Sequence, residues 1–237
     1  YDRAHSAFAE WDPATIRWTD VLEGARWFHV TGITPALSPG CEKAVREAVR
    51  TAREIAVPVS FDLNYRRNLW PLSRAKETLQ DLASACDVLI ANEEDAILMF
   101  DFERPVSDPH SGRIDEREYE RLARHIAARC GVPTVAITLR ESLSASRNGW
   151  SGLLLQAGAL HRSRRYELDV VDRVGTGDAF TAGIIHGILL GWEGERTVEF
   201  AAAASALKHT IGGDFNPVSV DQVNAVARGE LSGRVKR

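Results

Sequence analysis

The sequence predicts an α/β fold: a three-layer α/β/α sandwich with a mostly parallel central sheet and an antiparallel flank towards the C-terminus. Three observations carry that prediction. Short β-type runs alternate with helical patterns through the middle of the chain, the runs are apolar on both faces, and beyond Arg140 the alternation gives way to strand following strand. Taken in order, WFHV (27–30) reads as a strand and 42–55 as an amphipathic helix. VPVSFDL (57–63) is the next strand and 74–85 the next helix, and DVLIA (87–91) runs into a helix over 93–100. A polar loop covers 101–115, then 116–130 is helical and TVAITL (134–139) is a strand. Strands buried on both faces and separated by helices indicate a parallel sheet covered on two sides. Right-handed crossovers gather the strand ends at one edge, where open α/β sheets bind ligands. Residues 142–147, 149–156 and 165–171 read as consecutive strands joined by turns, and helices are expected over 178–190, 195–210 and 220–228. With no repeat, low-complexity tract or long linker, a single domain over 1–237 is expected.

Composition narrows the function. Apolar residues make up 44% and charged residues 26% of the chain, ordinary for a globular protein. No stretch approaches the roughly 20 apolar residues needed to span a bilayer. A net charge of −4 supplies no field for nucleic acid or an anionic membrane, so an anionic ligand must be held by local chemistry. Cys41, Cys86 and Cys130 lack metal-ligand spacing and read as reduced, buried thiols of a cytoplasmic protein. The histidines form no H-x-x-x-H pair that would suggest zinc. A homo-oligomer stays open.

The most informative stretch is VDRVGTGDAF, 171–180, joining a predicted strand to a helix that is apolar nearly all round (AFTAGIIHGILLG). Such a helix is expected to be buried. Gly175 and Gly177 permit a tight turn and close approach of a ligand to the backbone. The first amides of the helix have no intrahelical acceptors and carry the positive end of its dipole, so Gly175, Thr176 and Gly177 make an anion hole suited to phosphate. Asp178 at its mouth is either a helix cap or, in a pocket beside phosphate, a base for an alcohol proton. The apolar helix favours the second, because it is expected to bury its own start.

The run 172–178 resembles the D-T-x-G-A-G-D signature of the ribokinase (PfkB-type) carbohydrate kinases. The resemblance extends through YDRAHSAF, WFHVTGITPAL, SFDLNYRRNLW, ANEEDA, TLRESLSASRNGW and LKHTIGGDFNPV, and within the family it is strongest to the 2-keto-3-deoxygluconate kinases. Arg173 stands where the signature has Thr, and Asp95 where an N-x-x-E motif has Glu. The resemblance implies a ribokinase-like fold with ATP and Mg²⁺ at the carboxyl edge of the sheet, and phosphates over Gly175, Thr176 and Gly177. The chain opens with Tyr1 and its sole methionine is Met99; relatives of usual domain size imply roughly a hundred further residues before it, including most of a β-sheet lid.

The same resemblance assigns roles. Asp178 is the catalytic base, taking the proton of the sugar's terminal hydroxyl, at C6. Tyr1 and Arg3 match a Y-x-R segment that binds a sugar acid, and Arg66 of N-Y-R contacts the same acid; Arg67 reads as a surface residue. Two such arginines favour a keto-sugar acid, 2-dehydro-3-deoxy-D-gluconate, over a neutral hexose. Asp214 matches a position near the sugar, though a turn Asp reads equally well. Asn64 and Thr138 match nucleotide contacts, Thr138 as the end of its strand. Asn92 and Asp95 match residues near Mg²⁺ and phosphate. Other readings are a fructokinase, a 5-dehydro-2-deoxygluconokinase or a non-catalytic nucleotide-binding remnant. A dinucleotide-binding oxidoreductase fits worse, because the glycine motif does not follow the first strand.

Overall fold

A computed structural model of the chain describes residues 3, 5–103, 116–144 and 146–230. Tyr1 and most of the loop expected over 101–115 lie outside the described residues. Among the described residues, seven strands form one sheet in the order β1-β2-β3-β4-β5-β6, with β7 paired to β5. By contacts the chain divides into two units, Tyr1–Arg104 with Arg117–Ile137, and Pro105–Glu116 with Thr138–Arg237.

In the first unit, β1 (Phe28–Thr31), β2 (Val59–Asp62) and β3 (Val88–Asn92) pair in parallel. Between them run α1 (Trp18–Leu22), α2 (Ile33–Leu37), α3 (Pro39–Glu54) and α4 (Leu72–Ser84); α5 (Glu93–Met99) and α6 (Glu116–Cys130) follow β3. Helix α3 shows why the pattern is legible. Ser38 caps it by accepting from the Cys41 amide, Pro39 opens it, and Cys41, Ala44, Val45, Ala48, Val49 and Ala52 recur at helical spacing on the buried face. At the carboxyl ends of β1 and β2 the backbones nearly touch: a Cβ on Gly32 would lie 2.1 Å from the Leu63 carbonyl oxygen.

The second unit contains most of β4 (Thr134–Ser142), then β5 (Arg147–Gln156), β6 (Ala159–Arg162) and β7 (Tyr166–Asp169). β6 and β7 pair antiparallel with β5. Helices α7 (Thr176–Leu189), α8 (Gly194–His209) and α9 (Val220–Ala227) complete it. The α/β class, the parallel part and the antiparallel flank agree with the sequence. Other details differ, beginning with the short helices α1 and α2, which were not anticipated from the sequence. The strand expected to stop at Leu139 continues to Ser142, and the strand expected over 142–147 is instead largely the connection to β5, where the Leu143 amide donates to the Arg147 carbonyl. The four-residue β6 was not anticipated, since its alternation is too short to register. Helix α7, apolar on every side, is not buried on every side: Phe180, Thr181, Ile184 and Gly187 face inward, whereas Gly177, Asp178 and Ala182 are exposed.

Candidate functional site

In the second unit, the chemistry gathers where the chain leaves β7 and enters α7. Asp172 anchors this turn: one carboxylate oxygen accepts from the Val174 amide at 3.0 Å and the other from the Gly213 amide at 2.7 Å. Those two amides, the Val174 bond foremost, hold the Asp172 carboxyl below its ordinary range, and the Lys208 charge adds to the effect. Gly175 then takes φ 76°, a left-handed conformation, and a Cβ there would lie 2.4 Å from the Asp214 carbonyl oxygen. Thr176 is buried; its hydroxyl donates to the Arg173 carbonyl, and its own carbonyl accepts from the Ser205 hydroxyl at 2.7 Å.

Gly177 differs from Gly175. It is exposed, its φ is not left-handed, and apart from its chain neighbours and its own helix backbone no protein atom among the described residues lies within 4 Å of where its Cβ would be. Neither strain nor protein packing requires glycine there, so the space is open to a ligand. The Ala179 amide donates back to Gly175, while the Gly177 and Asp178 amides belong to the first turn, whose donors the helix itself leaves unmet. These amides, the dipole of a 14-residue helix and the open space above Gly177 fit an oxyanion such as phosphate. Asp178 is exposed and has no hydrogen-bond or ion-pair partner among the described residues. It does not cap the helix, whose Ncap is Gly175. The burial expected around Asp178 is therefore corrected: the open side of α7 brings the carboxylate to the surface. An unengaged carboxylate next to free amides can still receive a proton.

In the first unit, the chain leaving β2 passes through Asn64, at φ 37°, whose amide donates to the Thr31 hydroxyl at 3.2 Å. The Tyr65 amide then donates to Asp95 at 3.0 Å. Asn92 caps α5 by accepting from the Asp95 amide, and its own amide donates to the same Asp95 oxygen that Tyr65 uses, at 2.8 Å. Burial pushes the Asp95 carboxyl above its ordinary range, opposed by the Tyr65 and Asn92 bonds. Around this joint lies a cavity of about 820 Å³, lined by Tyr65, Arg66, Arg67, Asn92, Asp95 and Phe102 among others. Arg66 is exposed; among the described residues its side chain donates one hydrogen bond, to the Tyr65 carbonyl at 3.5 Å, and its charge acts on the Asp95 carboxylate, so most of its fork is available.

The structure thus brings Arg66, Asn92 and Asp95 to one cavity, and Gly175, Thr176, Gly177 and Asp178 to one turn with the Asp214 backbone against it. It does not put Asn64 in the cavity lining. Thr138 is buried within β4, not at its end. Arg3 is half-buried, with its carbonyl accepting from Ser6. Asp214 is exposed. Arg67, read as a surface residue, is exposed and also lines the cavity. Nothing in the sequence assigns a role to Phe102, which lines the cavity too, or to the Asp172 side chain, whose bond to Gly213 spans 41 positions and leaves no local signal. Among the described residues, no group of three or more His, Cys, Asp or Glu could hold a metal by itself, and no helix is long and apolar enough to cross a membrane.

Residues 1–219 match the profile of the pfkB family carbohydrate kinases. The chain is 34% identical over 98% of its length to a 2-dehydro-3-deoxygalactonokinase of Haloferax volcanii, covering 66% of that protein. It is 29% identical over 83% of its length to a 2-dehydro-3-deoxygluconokinase of Bacillus subtilis, covering 54% of it. The chain thus spans between half and two thirds of the length of these curated relatives. Among solved structures, it superposes with a TM-score of 0.89 and 42% identity on the 2-dehydro-3-deoxygluconokinase of Thermotoga maritima, over 97% of this chain and 68% of that one. A carbohydrate kinase of the same family from Listeria grayi gives 0.84 and 35%, over 96% and 68%.

Proposed function

The chain belongs to the pfkB family of carbohydrate kinases, and we propose that it transfers the γ-phosphoryl group of ATP to the terminal hydroxyl of a 2-dehydro-3-deoxy sugar acid, 2-dehydro-3-deoxy-D-gluconate becoming its 6-phosphate. The observation that carries this reading is the start of α7: a left-handed glycine, a second glycine with open space above it, free first-turn amides and an unengaged Asp178. Relatives named for sugar acids of this class, and the available Arg66 fork, support an acidic substrate.

Mechanistically, Asp178 accepts the proton of the C6 hydroxyl as that oxygen forms its bond to the γ-phosphorus. The bond from γ-phosphorus to the bridging oxygen breaks, and its electron pair leaves with ADP. The Gly177 and Asp178 amides hold the negative phosphate oxygens. Arg66 pairs with the sugar carboxylate, and Tyr1, Arg3 and Asp214 are assigned to the sugar, with Asn64 and Thr138 assigned to the nucleotide. Magnesium, when bound with ATP, supplies charge neutralisation on the phosphates. Asp95 would hold it through water by the carboxylate oxygen that neither Tyr65 nor Asn92 uses, with Asn92 fixing Asp95 in place. All three cysteines are unpaired and buried, and burial pushes the Cys86 thiol up to about 12, so inert thiols suit a proposed cytoplasmic location.

Coupled detection of ADP release tests the proposal with 2-dehydro-3-deoxygluconate, its galactonate epimer and fructose as acceptors. Turnover on one of the acids and little on fructose is expected, with Asp178→Asn lowering kcat by about 10²–10⁴-fold while ATP affinity holds. Preference for fructose, or an Asn variant of normal rate, rejects it.

A further inference from the structure

Among the described residues, Lys208 is the one charged residue in the set of largest fully buried side chains. It stands near the end of α8, whose sequence around it is mostly alanine, and its ammonium donates to the Ile211 carbonyl at 2.8 Å just past the helix. An ammonium has three donors and loses much hydration on burial, so one carbonyl is thin compensation. No carboxylate lies within ion-pair distance of it among the described residues. A residue whose burial is so unfavourable, on a helix where alanine serves elsewhere, calls for a reason beyond packing.

Its position supplies one. The Lys208 Cε lies 3.4 Å from where a Cβ on Gly175 would be, beside the Asp214 carbonyl that closes the same space. Asp172, which staples Val174 to Gly213, feels the Lys208 charge. Lys208 therefore sits at the junction of two segments, 172–175 and 211–214, behind the first turn of α7. We infer that Lys208 is a positioning residue: a tethered cation that braces the Gly175 turn and adds positive potential behind the amides assigned to phosphate. The inference rests on the reading of that turn as a phosphate cradle.

The test titrates inorganic triphosphate and ATP into this chain by calorimetry, in potassium chloride and in tetramethylammonium chloride at equal ionic strength, with ADP release followed in parallel. Wild-type affinity is expected to agree between the two salts within about two-fold. Lys208→Met, which fills similar space without charge, should keep a cooperative thermal transition yet bind triphosphate about ten-fold more weakly, with kcat falling and the sugar KM unchanged. Lys208→Ala should regain affinity when methylammonium is added. Wild-type binding that potassium strengthens about ten-fold assigns the charge to a free ion and overturns the inference. So does a folded Lys208→Met with unchanged affinity, or a wild type that binds neither ligand. Should the variants fail to fold, the salt comparison on the wild type decides. Lys208-dependent triphosphate binding without any ADP release upholds the inference while rejecting the kinase reading.

Discussion

Gly175 and Gly177 look alike in sequence and do different work. The first is required by backbone geometry, because φ 76° is unfavourable for any side chain and the Asp214 carbonyl occupies the space. The second is required by nothing in the protein. Gly175→Ala is therefore expected to destabilise the fold by about 1–3 kcal/mol, read as a shift of the denaturation midpoint, and to weaken triphosphate binding. Gly177→Ala should leave the midpoint unchanged and still weaken binding; equal stability losses in both would contradict this division. Asp172→Asn keeps one acceptor but presents a donor to the second amide, so a lower thermal midpoint and lower turnover are expected. Motif spacing made the glycines and Asp178 legible. The Asp172 bond was not, because its partner Gly213 is remote in sequence and supplies only a backbone amide.

Helices α7 and α8 show where composition stops being informative. Helix α7 reads as apolar all round, from which burial all round follows, yet one side is open. What fixes its orientation is a contact between small residues: a Cβ on Gly183 would stand 2.5 Å from the Ala201 Cα on α8. Backbones this close cannot admit a methyl group without separating, so Gly183→Ala is expected to cost about 1–3 kcal/mol in chemical denaturation. A neutral result would show that the pair can slide apart freely. Helix α9 gives a milder case. Its Ser219–Gln222 capping box is complete, and Ser219→Ala should cost about 1 kcal/mol, measured the same way.

For the molecule as a whole, acid sensitivity should include a histidine. His209 is buried at the end of α8, with its ring nitrogen Nδ1 against the Ser205 carbonyl at 2.8 Å and its ring 4.7 Å from that of Trp150. Burial lowers its pKa below the ordinary imidazole value, and the nearby Arg173, Arg140 and Lys208 charges act in the same direction. The unfolded chain then binds a proton more readily than the folded one. The stability associated with neutral His209 is thus full above about pH 6.5 and is lost as pH falls through the depressed folded value. The thermal midpoint should drop between pH 7.5 and 5.5, and His209→Gln should flatten that part of the profile; an identical slope in the variant would remove His209 from the acid response.

Periodicity and motif spacing alone determined the α/β class, the parallel and antiparallel parts of the sheet, and the helix start with its two glycines and Asp178. Those are properties of neighbours along the chain, where side-chain pattern and turn chemistry act locally. Tertiary structure decided which side of α7 faces water, that Arg67 and Phe102 join the cavity beside Arg66, and that Lys208 is buried behind Gly175. Each depends on backbone segments distant in sequence coming within a few ångströms, and a one-dimensional pattern does not record that distance.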